Sequence, residues 1–242
     1  MKFKEIEFNP KNGKKMTLFS SKGVFSPNTT TDLLISAVKK TVTEPKKTLD
    51  LGCGTGIVGL SLFLEGLTKE PLFASDFSEQ AVLSSKENFK IYGCDAEVLC
   101  GSLFDPWEGK KFEVIIDDIS GISQELAKIS PWFEGVPCET GRDGTDLVLS
   151  IINNSSRYLL DDGYFFFPVL SLSNVGNILK KARESFYSVE LIERQEWPLP
   201  KELEAHKTLL KELSKNSSIA LEERFGMFLC YTEIYLARNP IN

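Results

Sequence analysis

The sequence predicts an α/β fold built on a mostly parallel β-sheet, with a β-hairpin in front of it. From about residue 30 onward, short apolar runs alternate with helical patterns, which is typical of consecutive βαβ units. The first of these runs, "TLDL", enters a glycine-rich turn before the next helix. At the N-terminus, "FKEIEF" and "KMTLFS" flank the turn-forming stretch "NPKNGK", which predicts the hairpin.

The elements follow one another without a visible linker or repeat, so we expect one domain. The first helix, over 29–42, starts with Thr and Asp residues that suit a helix cap and continues with apolar residues at helical spacing. Near the C-terminus, "EWPLP" leads into a helix, and "GMFLCYTEIYLAR" predicts a long strand. The other predicted strands lie at 48–51, 71–75, 96–100, 112–117, 164–170 and 186–193, and the other predicted helices at 56–66, 78–93, 122–129, 144–159 and 173–184.

Charge, the length of the apolar runs and the cysteine pattern indicate which classes of protein the chain does not fit. The 242 residues carry a net charge of -6 with a pI near 5.1, which counts against a broad nucleic-acid-binding surface but leaves a local basic patch open. The apolar runs are far shorter than the ~20 residues that cross a bilayer, and "MKFKEIEF" lacks a signal-peptide core, so we expect a cytoplasmic protein without a membrane partner. Five cysteines without a C-x-x-C pair predict thiols that are mostly buried rather than disulfides or zinc ligands.

The turn "LDLGCGTGIVGL", residues 49–60, contains the spacing Gly54-x-Gly56-x-x-Gly59. A glycine-rich turn from strand to helix brings a ligand close to unpaired backbone amides at the helix N-terminus. In dinucleotide-binding enzymes these amides hold a pyrophosphate, and an acid about 20 residues further on binds the ribose. Asp76, at the end of "PLFASD", is placed for that ribose, so the pattern fits an adenosine-containing cofactor.

One residue separates the possible cofactors. Asp50 lies within the strand, two residues before Gly52, where a dinucleotide-binding strand is usually apolar. A carboxylate at this point suits a ligand with a positive amine or sulfonium better than one with two phosphates. The sequence therefore favours S-adenosylmethionine over a nicotinamide or flavin dinucleotide.

The same residues resemble a known family. "LDLGCGTG" looks like the first motif of class I S-adenosylmethionine-dependent methyltransferases, and Asp76 with the helix behind it resembles their second strand and helix. "VFSPNTTTDLLISAV" (24–38) is similar to the segment that precedes the fold in protein-glutamine N5-methyltransferases and related N-methyltransferases. "TGRDGTDLVLSIINNSSRYLLDDGYFFFPV" (140–169) resembles a helix and the fifth strand of that group.

The resemblance implies a Rossmann-like, seven-stranded, mostly parallel sheet with helices on both faces and an antiparallel strand near 226–238. It makes residues 1–242 a single methyltransferase domain, with a hairpin extension over 1–28 and the catalytic fold over 29–242. The cofactor would lie across the carboxyl ends of the first strands, where open α/β sheets bind their ligands.

The resemblance also assigns cofactor-binding residues. Asp50, Gly52 and Gly54 would shape the pocket for the methionine part, and Gly56 would ease the entry into the helix.

On the adenosine side, Asp76 would hold the ribose, Phe77 would cover one face of the adenine and Leu103 the other. Ser102 stands where the family often has an acid facing the adenine amine, and it accepts a hydrogen bond more weakly than a carboxylate.

The candidate acceptor site departs from the family pattern. Related N-methyltransferases have an (N/D)-P-P-(Y/F) tetrapeptide after the fourth strand, where this chain has Asp118, Ile119, Ser120 and Gly121. Asp118 is the candidate catalytic residue, because it can orient an acceptor or receive its proton. The missing prolines and aromatic weaken the inference to a planar amide or base.

Segments 17–31 and 119–143 are expected to border the acceptor, and Trp132 or Phe133 is a candidate replacement for the missing aromatic.

Other polar residues admit simpler interpretations. Asp117 and Asp118 would point to opposite faces of the strand, and one of them can be a solvated strand-end charge. No further ligands stand at metal-binding spacing, so no metal is predicted. His206, the only histidine, fits a solvated helix residue better than a base, and Trp197 fits an anchor for that helix.

The predicted function is S-adenosylmethionine-dependent N-methyl transfer to a protein side chain or a nucleobase. A small-molecule acceptor and a non-catalytic methyltransferase-like binding subunit are the alternatives, and a dehydrogenase is disfavoured by Asp50. The sequence leaves the acceptor open among protein, nucleic acid and small molecule, and it leaves the oligomeric state open.

Overall fold

The computed structural model describes residues 3–11, 13–119, 121–133, 140–224 and 226–241. Two short 3-10 turns lie at Asp105–Trp107 and Pro131–Phe133. The helices are α1 (Thr29–Thr41), α2 (Ile57–Leu64), α3 (Glu79–Ile91), α4 (Gln124–Ala127), α5 (Asp146–Tyr158), α6 (Val175–Ser185), α7 (Lys201–Glu204) and α8 (Lys207–Lys215). The strands are β1 (Lys4–Phe8), β2 (Met16–Ser20), β3 (Thr48–Leu51), β4 (Leu72–Asp76), β5 (Ala96–Cys100), β6 (Phe112–Asp117), β7 (Leu159–Leu170), β8 (Phe186–Pro198), β9 (Glu222–Arg224) and β10 (Met227–Pro240).

The main sheet has the strand order β5-β4-β3-β6-β7-β10-β8, and β9 pairs with β10. Strands β3 to β7 pair in parallel, whereas β10 runs antiparallel to both β7 and β8. The expected sheet with one antiparallel strand is therefore present. The eighth strand, β9, is only three residues long and pairs with the start of β10, so it carried no apolar pattern from which to predict it.

Two apolar cores cover the two faces of the sheet. The first core joins the hairpin and α1–α3 to one face, and it includes Leu18, Leu34 and Ile116. The second core joins α5 and α6 to the other face, and it includes Ile115 and Ile151. Since successive residues of a strand face opposite sides, the central strands are apolar throughout, which is typical of a parallel sheet buried on both faces.

The hairpin forms as predicted, with β1 and β2 antiparallel, and it docks on α3. Three polar side chains, spaced four residues apart along α3 and its C-terminal cap, bind the backbone of alternate residues of β2 and the residue that follows it. Four residues of helix rise by ~6 Å and two residues of strand by ~6.7 Å, so the two spacings match. The pairs are Ser84 with Ser21, Asn88 with Phe19, and Tyr92 with Thr17.

The predicted helix near the C-terminus is broken in two. It ends as α7 at Glu204 and resumes as α8 at Lys207, and both helices lie between β8 and β9. They pack on the segment that follows β6 through a third apolar group, which we call the cap cluster. Its buried members are Ile122, Leu126, Ala127, Leu172, Leu199, Leu203, Leu210, Leu213, Ile219 and Cys230.

None of the helices in the described ranges combines the length and the apolar character that a membrane crossing requires.

Candidate active site

The glycine turn connects β3 to α2 at the carboxyl edge of the sheet. Gly52, Gly54 and Gly56 all have left-handed backbone conformations, with φ of +72°, +53° and +78°. A Cβ at Gly54 would meet no atom within 4 Å, so the backbone at this point is open to an approaching ligand. A Cβ at Gly52 would instead lie 2.1 Å from Cγ1 of Ile119, because the Ile119 side chain packs over the turn.

Asp50 lies in β3, between two residues of the second core, and so faces the opposite side of the sheet. Its side chain is fully buried. Oδ2 accepts a hydrogen bond from the amide of Gly59 at 2.9 Å, whereas Oδ1 has no partner among the described residues. Burial raises the pKa of this carboxyl to about 7. An unsatisfied buried carboxylate oxygen is costly unless a donor or a positive charge reaches it.

Gly59, the third glycine of the dinucleotide-like spacing, has a packing role here. A Cβ on Gly59 would lie 2.7 Å from Cδ2 of Leu72 and 3.0 Å from Oδ2 of Asp50. Glycine at this position therefore lets the helix approach the strand and lets its amide reach Asp50. The third glycine of the Gly54-x-Gly56-x-x-Gly59 spacing is therefore explained by its contact with the Asp50 carboxylate, without a pyrophosphate.

Asp76 ends β4 and fixes the glycine turn. Oδ2 accepts a hydrogen bond from the amide of Gly54 at 2.9 Å, and Oδ1 accepts one from the amide of Ser78 at 2.8 Å, just before α3. Burial raises the pKa of the Asp76 carboxyl. Each carboxylate oxygen has two lone pairs, so the remaining positions are available to the hydroxyls of a ribose.

The candidate adenine residues extend from two adjacent loops. The carbonyl of Asp76 accepts a hydrogen bond from the amide of Gly101 at 3.0 Å, which holds the loop after β4 beside the loop after β5. Phe77 is 81% exposed, and Ser102 is exposed as well. Leu103 is half-buried with φ of 45°, a left-handed conformation that is uncommon for leucine and that concentrates at functional sites.

Asp118 follows β6 directly and faces the same side of the sheet as Asp50. Its Oδ2 accepts a hydrogen bond from the Thr31 hydroxyl at 3.1 Å, and its amide donates to the carbonyl of Leu51 at 3.2 Å. Burial raises the pKa of the Asp118 carboxyl, and the nearby charge of Asp50 raises it further. The hydrogen bond from Thr31 lowers the pKa, and the net result is a value of about 7. A carboxyl that titrates near neutrality suits a proton acceptor.

Asp117 is fully buried, so the interpretation that one of the paired acids is an exposed strand-end charge is wrong for this residue. Its Oδ1 accepts a hydrogen bond from the amide of Ile119 at 2.8 Å, and Oδ2 has no partner within the described ranges. Burial raises its pKa well above the usual value. The half-buried Asp118 is the member of the pair that meets Thr31 and Asp50.

The loop after β6 is held by packing and hydrogen bonds instead of prolines. Gly121 fits against Thr140 and the carbonyl of Gly144, with no room for a Cβ. The Thr140 hydroxyl donates to the carbonyl of Ile122 at 2.7 Å, and the Ser123 hydroxyl donates to the carbonyl of Arg142 at 2.9 Å. Position 120, the remaining member of the predicted tetrapeptide, and positions 134–139 lie outside the described residues.

The two segments expected to border the acceptor meet in the structure. Their contacts are the Thr31–Asp118 hydrogen bond and a ring contact between Phe25 and Phe133, whose centroids lie 5.7 Å apart. Phe133 is therefore next to another aromatic ring at this border, and both Trp132 and Phe133 pack on the cap cluster.

His206 and Trp197, which were given simpler interpretations, are placed as those interpretations expect. His206 is exposed, and its backbone forms the N-terminal boundary of α8. Trp197 packs on the cap cluster, which anchors α7 and α8. The described residues contain no group of three or more His, Cys, Asp or Glu side chains that could hold a metal ion.

Two residues of the site were missed at the sequence level. Thr31 was read only as part of a helix start, although its hydroxyl reaches Asp118. Asn88 donates to the carbonyls of Phe19 and Thr55, so it joins the hairpin to the glycine turn. A signal was present in the sequence: Ser84, Asn88 and Tyr92 are spaced four residues apart, which places three polar side chains on the same face of the helix.

This arrangement, a glycine turn between acids at the ends of adjacent parallel strands, agrees with the family whose model matches the chain. Residues 15–118 match the model of the methyltransferase small domain. This part of the chain is similar to a methyltransferase small domain. The match covers the hairpin strand β2, the glycine turn and Asp118.

Curated relatives of the small domain are modestly similar to the chain. The release factor glutamine methyltransferase of Aquifex aeolicus is 28% identical over 153 residues, which is 59% of this chain and 53% of that protein. The ribosomal protein L11 methyltransferase of Acetivibrio thermocellus is 27% identical over 168 residues, 69% of this chain and 46% of that protein. The chain thus spans about half the length of these relatives.

Solved structures confirm the fold. A Thermus thermophilus 16S rRNA N2 G1207 methyltransferase, solved with AdoMet and guanosine, matches with a TM-score of 0.66 at 15% identity, covering 98% of this chain and 50% of that one. The ribosomal protein L11 methylase of Lactobacillus delbrueckii subsp. bulgaricus matches with a TM-score of 0.55 at 17% identity, covering 89% and 81%. The predicted class I, Rossmann-like methyltransferase fold is therefore correct.

Proposed function

We propose that the chain is an S-adenosylmethionine-dependent methyltransferase that transfers a methyl group to a nitrogen of a protein side chain or a nucleobase. The observation that carries the proposal is the position of Asp50, Asp76 and Asp118 at the ends of β3, β4 and β6, three neighbouring parallel strands around one glycine turn. The family match and the curated methyltransferase relatives support the same reaction class.

The residues present fit this cofactor. Asp50 offers a buried carboxylate oxygen without a donor, which a positive amine or sulfonium would satisfy. Gly52 and Gly54 would line the methionine part and Gly56 the helix entry, while the open backbone at Gly54 permits close approach.

On the other side of the turn, Asp76 would bind the ribose. The exposed Phe77 would cover one adenine face, Leu103 the other, and Ser102 would accept a hydrogen bond from the adenine amine.

When bound, S-adenosylmethionine supplies an activated methyl group on sulfur. The protein's contribution is to hold the acceptor nitrogen in line and to receive its proton. Asp118 serves as the proton acceptor in this proposal, because its pKa lies near neutrality and its Oδ2 is oriented by Thr31. Thr31 is a positioning residue that acts through Asp118.

Several class members act on planar nitrogen groups, and the acceptor border of this chain offers aromatic surface for such a group. Phe25 and Phe133 meet at this border and can pack on a planar amide or base. Gly121 stands where the family pattern has an aromatic, so these two rings are the candidates for the missing aromatic surface.

The test is transfer of a tritium-labelled methyl group from S-adenosylmethionine into purified ribosomal RNA, ribosomal proteins and release factors, each offered separately. Asp118→Asn should lower the transfer rate about a hundredfold or more, because the amide cannot accept the proton. Asp161→Asn, at an exposed position, is the matched control. Tight cofactor binding with no transfer to any acceptor by the wild type would support a non-catalytic binding subunit instead.

A further inference from the structure

The N-terminal hairpin differs in charge from the rest of the chain. Residues 1–22 contain six lysines and two glutamates, whereas the remaining residues contain 22 basic and 32 acidic side chains. A positively charged element therefore stands on a negatively charged body. Such an asymmetry steers a polyanion to one end of the molecule.

Three of the hairpin lysines are available to a partner. Lys15 forms an ion pair with Glu7 at 2.6 Å, and the ammonium of Lys11 donates to Gln195. Lys4, Lys14 and Lys22 are exposed, and within the described parts of the chain no acidic side chain pairs with them. Their charges are thus not neutralised by the fold.

Lys4 and Lys22 lie at the end of the hairpin that leads to the candidate active site. Lys4 pairs in register with Ser20, and Lys22 follows two residues later. From there the chain runs to α1, whose Thr31 reaches Asp118. The two lysines therefore lie at the start of the short segment that borders the acceptor.

The hairpin is held in a fixed position relative to the glycine turn. The side chain of Asn88 accepts a hydrogen bond from the amide of Phe19 at 2.7 Å and donates to the carbonyls of Phe19 and Thr55 at 3.0 and 2.9 Å. A partner bound to the hairpin is consequently aligned with the cofactor-binding turn.

We propose that this end of the hairpin, formed by Lys4 and Lys22, docks the phosphodiester backbone of a structured RNA that carries the methyl acceptor. The proposal rests on the proposed function and names the class of its substrate.

RNA fits this surface better than an acidic protein. Lysine is depleted in protein–protein interfaces, whereas phosphate neutralisation by lysine and arginine supplies much of the affinity for nucleic acids.

The experiment measures binding of a fluorescein-labelled RNA stem-loop by fluorescence anisotropy over a series of KCl concentrations. It compares the wild type with Lys4→Glu/Lys22→Glu and with a matched control, Lys180→Glu/Lys181→Glu. The control makes the same change in net charge on α6, which packs on the opposite face of the sheet.

We expect the hairpin variant to lose about tenfold or more in affinity and to flatten the slope of log K against log[KCl] by about 1 to 2. The control should stay within about twofold of the wild type. Equal losses in both variants, or no RNA binding by the wild type, would overturn the proposal. So would hairpin-dependent binding of a labelled poly-glutamate peptide in place of RNA, because that result points to an acidic protein partner.

Calorimetric titration with S-adenosylhomocysteine on the same three proteins separates the two proposals. Both variants should bind it as the wild type does, which also shows that they are folded. Failure of the wild type to bind S-adenosylhomocysteine would contradict the proposed function. Loss of RNA binding with normal S-adenosylhomocysteine binding would concern only the proposal for the hairpin.

Discussion

Thr31 and Asp118, 87 residues apart in the sequence, meet through a hydrogen bond of 3.1 Å from the Thr31 hydroxyl to Asp118 Oδ2. The bond connects the first helix to the end of the fourth parallel strand. It also connects the two segments that border the candidate acceptor site, so the carboxyl that we propose as proton acceptor is oriented from the opposite wall.

Thr31→Val tests this relationship directly. A hydrogen bond to the ionised carboxylate lowers its pKa, so removing the bond should raise the pKa of Asp118 above its present value of about 7. A carbon-13 NMR titration of labelled aspartate carboxyls measures the shift. Thr30→Val is the control, since the Thr30 hydroxyl bonds to Thr232 instead. An unchanged Asp118 titration in Thr31→Val would show that the bond does not orient the ionised form.

The raised pKa values of Asp50 and Asp118 predict a pH-dependent stability. Both carboxyls hold their protons more tightly in the folded state than in the unfolded chain, where the pKa is 3.8. The free energy of unfolding therefore falls as the pH rises from about 4 to 7. The loss is about 1.4 kcal/mol per unit of pKa difference for each group. Thermal unfolding of the cofactor-free protein should therefore give a lower Tm at pH 8 than at pH 5.

Asp50→Asn should remove part of that pH dependence, because the amide does not titrate. Asp161→Asn, exposed on the surface, should retain all of it. A Tm that rises steadily from pH 5 to pH 8 in the wild type is incompatible with buried, proton-holding carboxyls.

Gly59→Ala should destabilise the protein and weaken cofactor binding together. The new Cβ would crowd Leu72 and Asp50 Oδ2, and overpacking of this kind costs about 1–3 kcal/mol. Chemical denaturation and S-adenosylhomocysteine titration measure the two effects. Gly176→Ala, in α6, is the control, because its Cβ would meet no atom closer than 3.7 Å and should leave both values nearly unchanged. Normal binding of S-adenosylhomocysteine by Gly59→Ala would show that Gly59 does not shape the cofactor site.

The cap cluster predicts a local effect of α8 on the acceptor loop. Leu210 is fully buried in the same cluster as Ile122 and Leu126, and Leu210→Ala should cost about 2–5 kcal/mol. Hydrogen exchange over 121–130 should accelerate, because packing holds this loop where related enzymes have prolines. Ile178→Ala in the second core is the control of similar cost. Equal acceleration over 121–130 in both variants would indicate global loosening and no specific support from α8.

The elements with local signals were predicted well. "TLDL" and "FEVIID" form strands at the predicted positions. The candidate cofactor residues Asp50, Asp76 and the glycines between them lie within one short stretch of sequence, so their pattern is visible without the fold. Backbone conformation and strand periodicity depend on neighbouring residues, so they can be read from one chain.

Features that depend on distant contacts were not predictable. The contact of Thr31 with Asp118 and the bridge from Asn88 to Thr55 join residues that are 87 and 33 positions apart. The break between α7 and α8 has no local signal either, because the helical pattern of the sequence continues through His206. The burial of Asp117 likewise depends on the folded chain as a whole, so the neighbouring residues do not reveal it.

The most direct test of the central claim is calorimetric titration of the wild type and Asp76→Ala with S-adenosylmethionine, S-adenosylhomocysteine and NADH. Asp76 holds the glycine turn through Gly54 and is placed for the ribose, so the account predicts micromolar binding of the first two ligands by the wild type, loss of that binding in Asp76→Ala, and no binding of NADH. Binding of NADH without either sulfur compound would contradict the assignment of the site to S-adenosylmethionine.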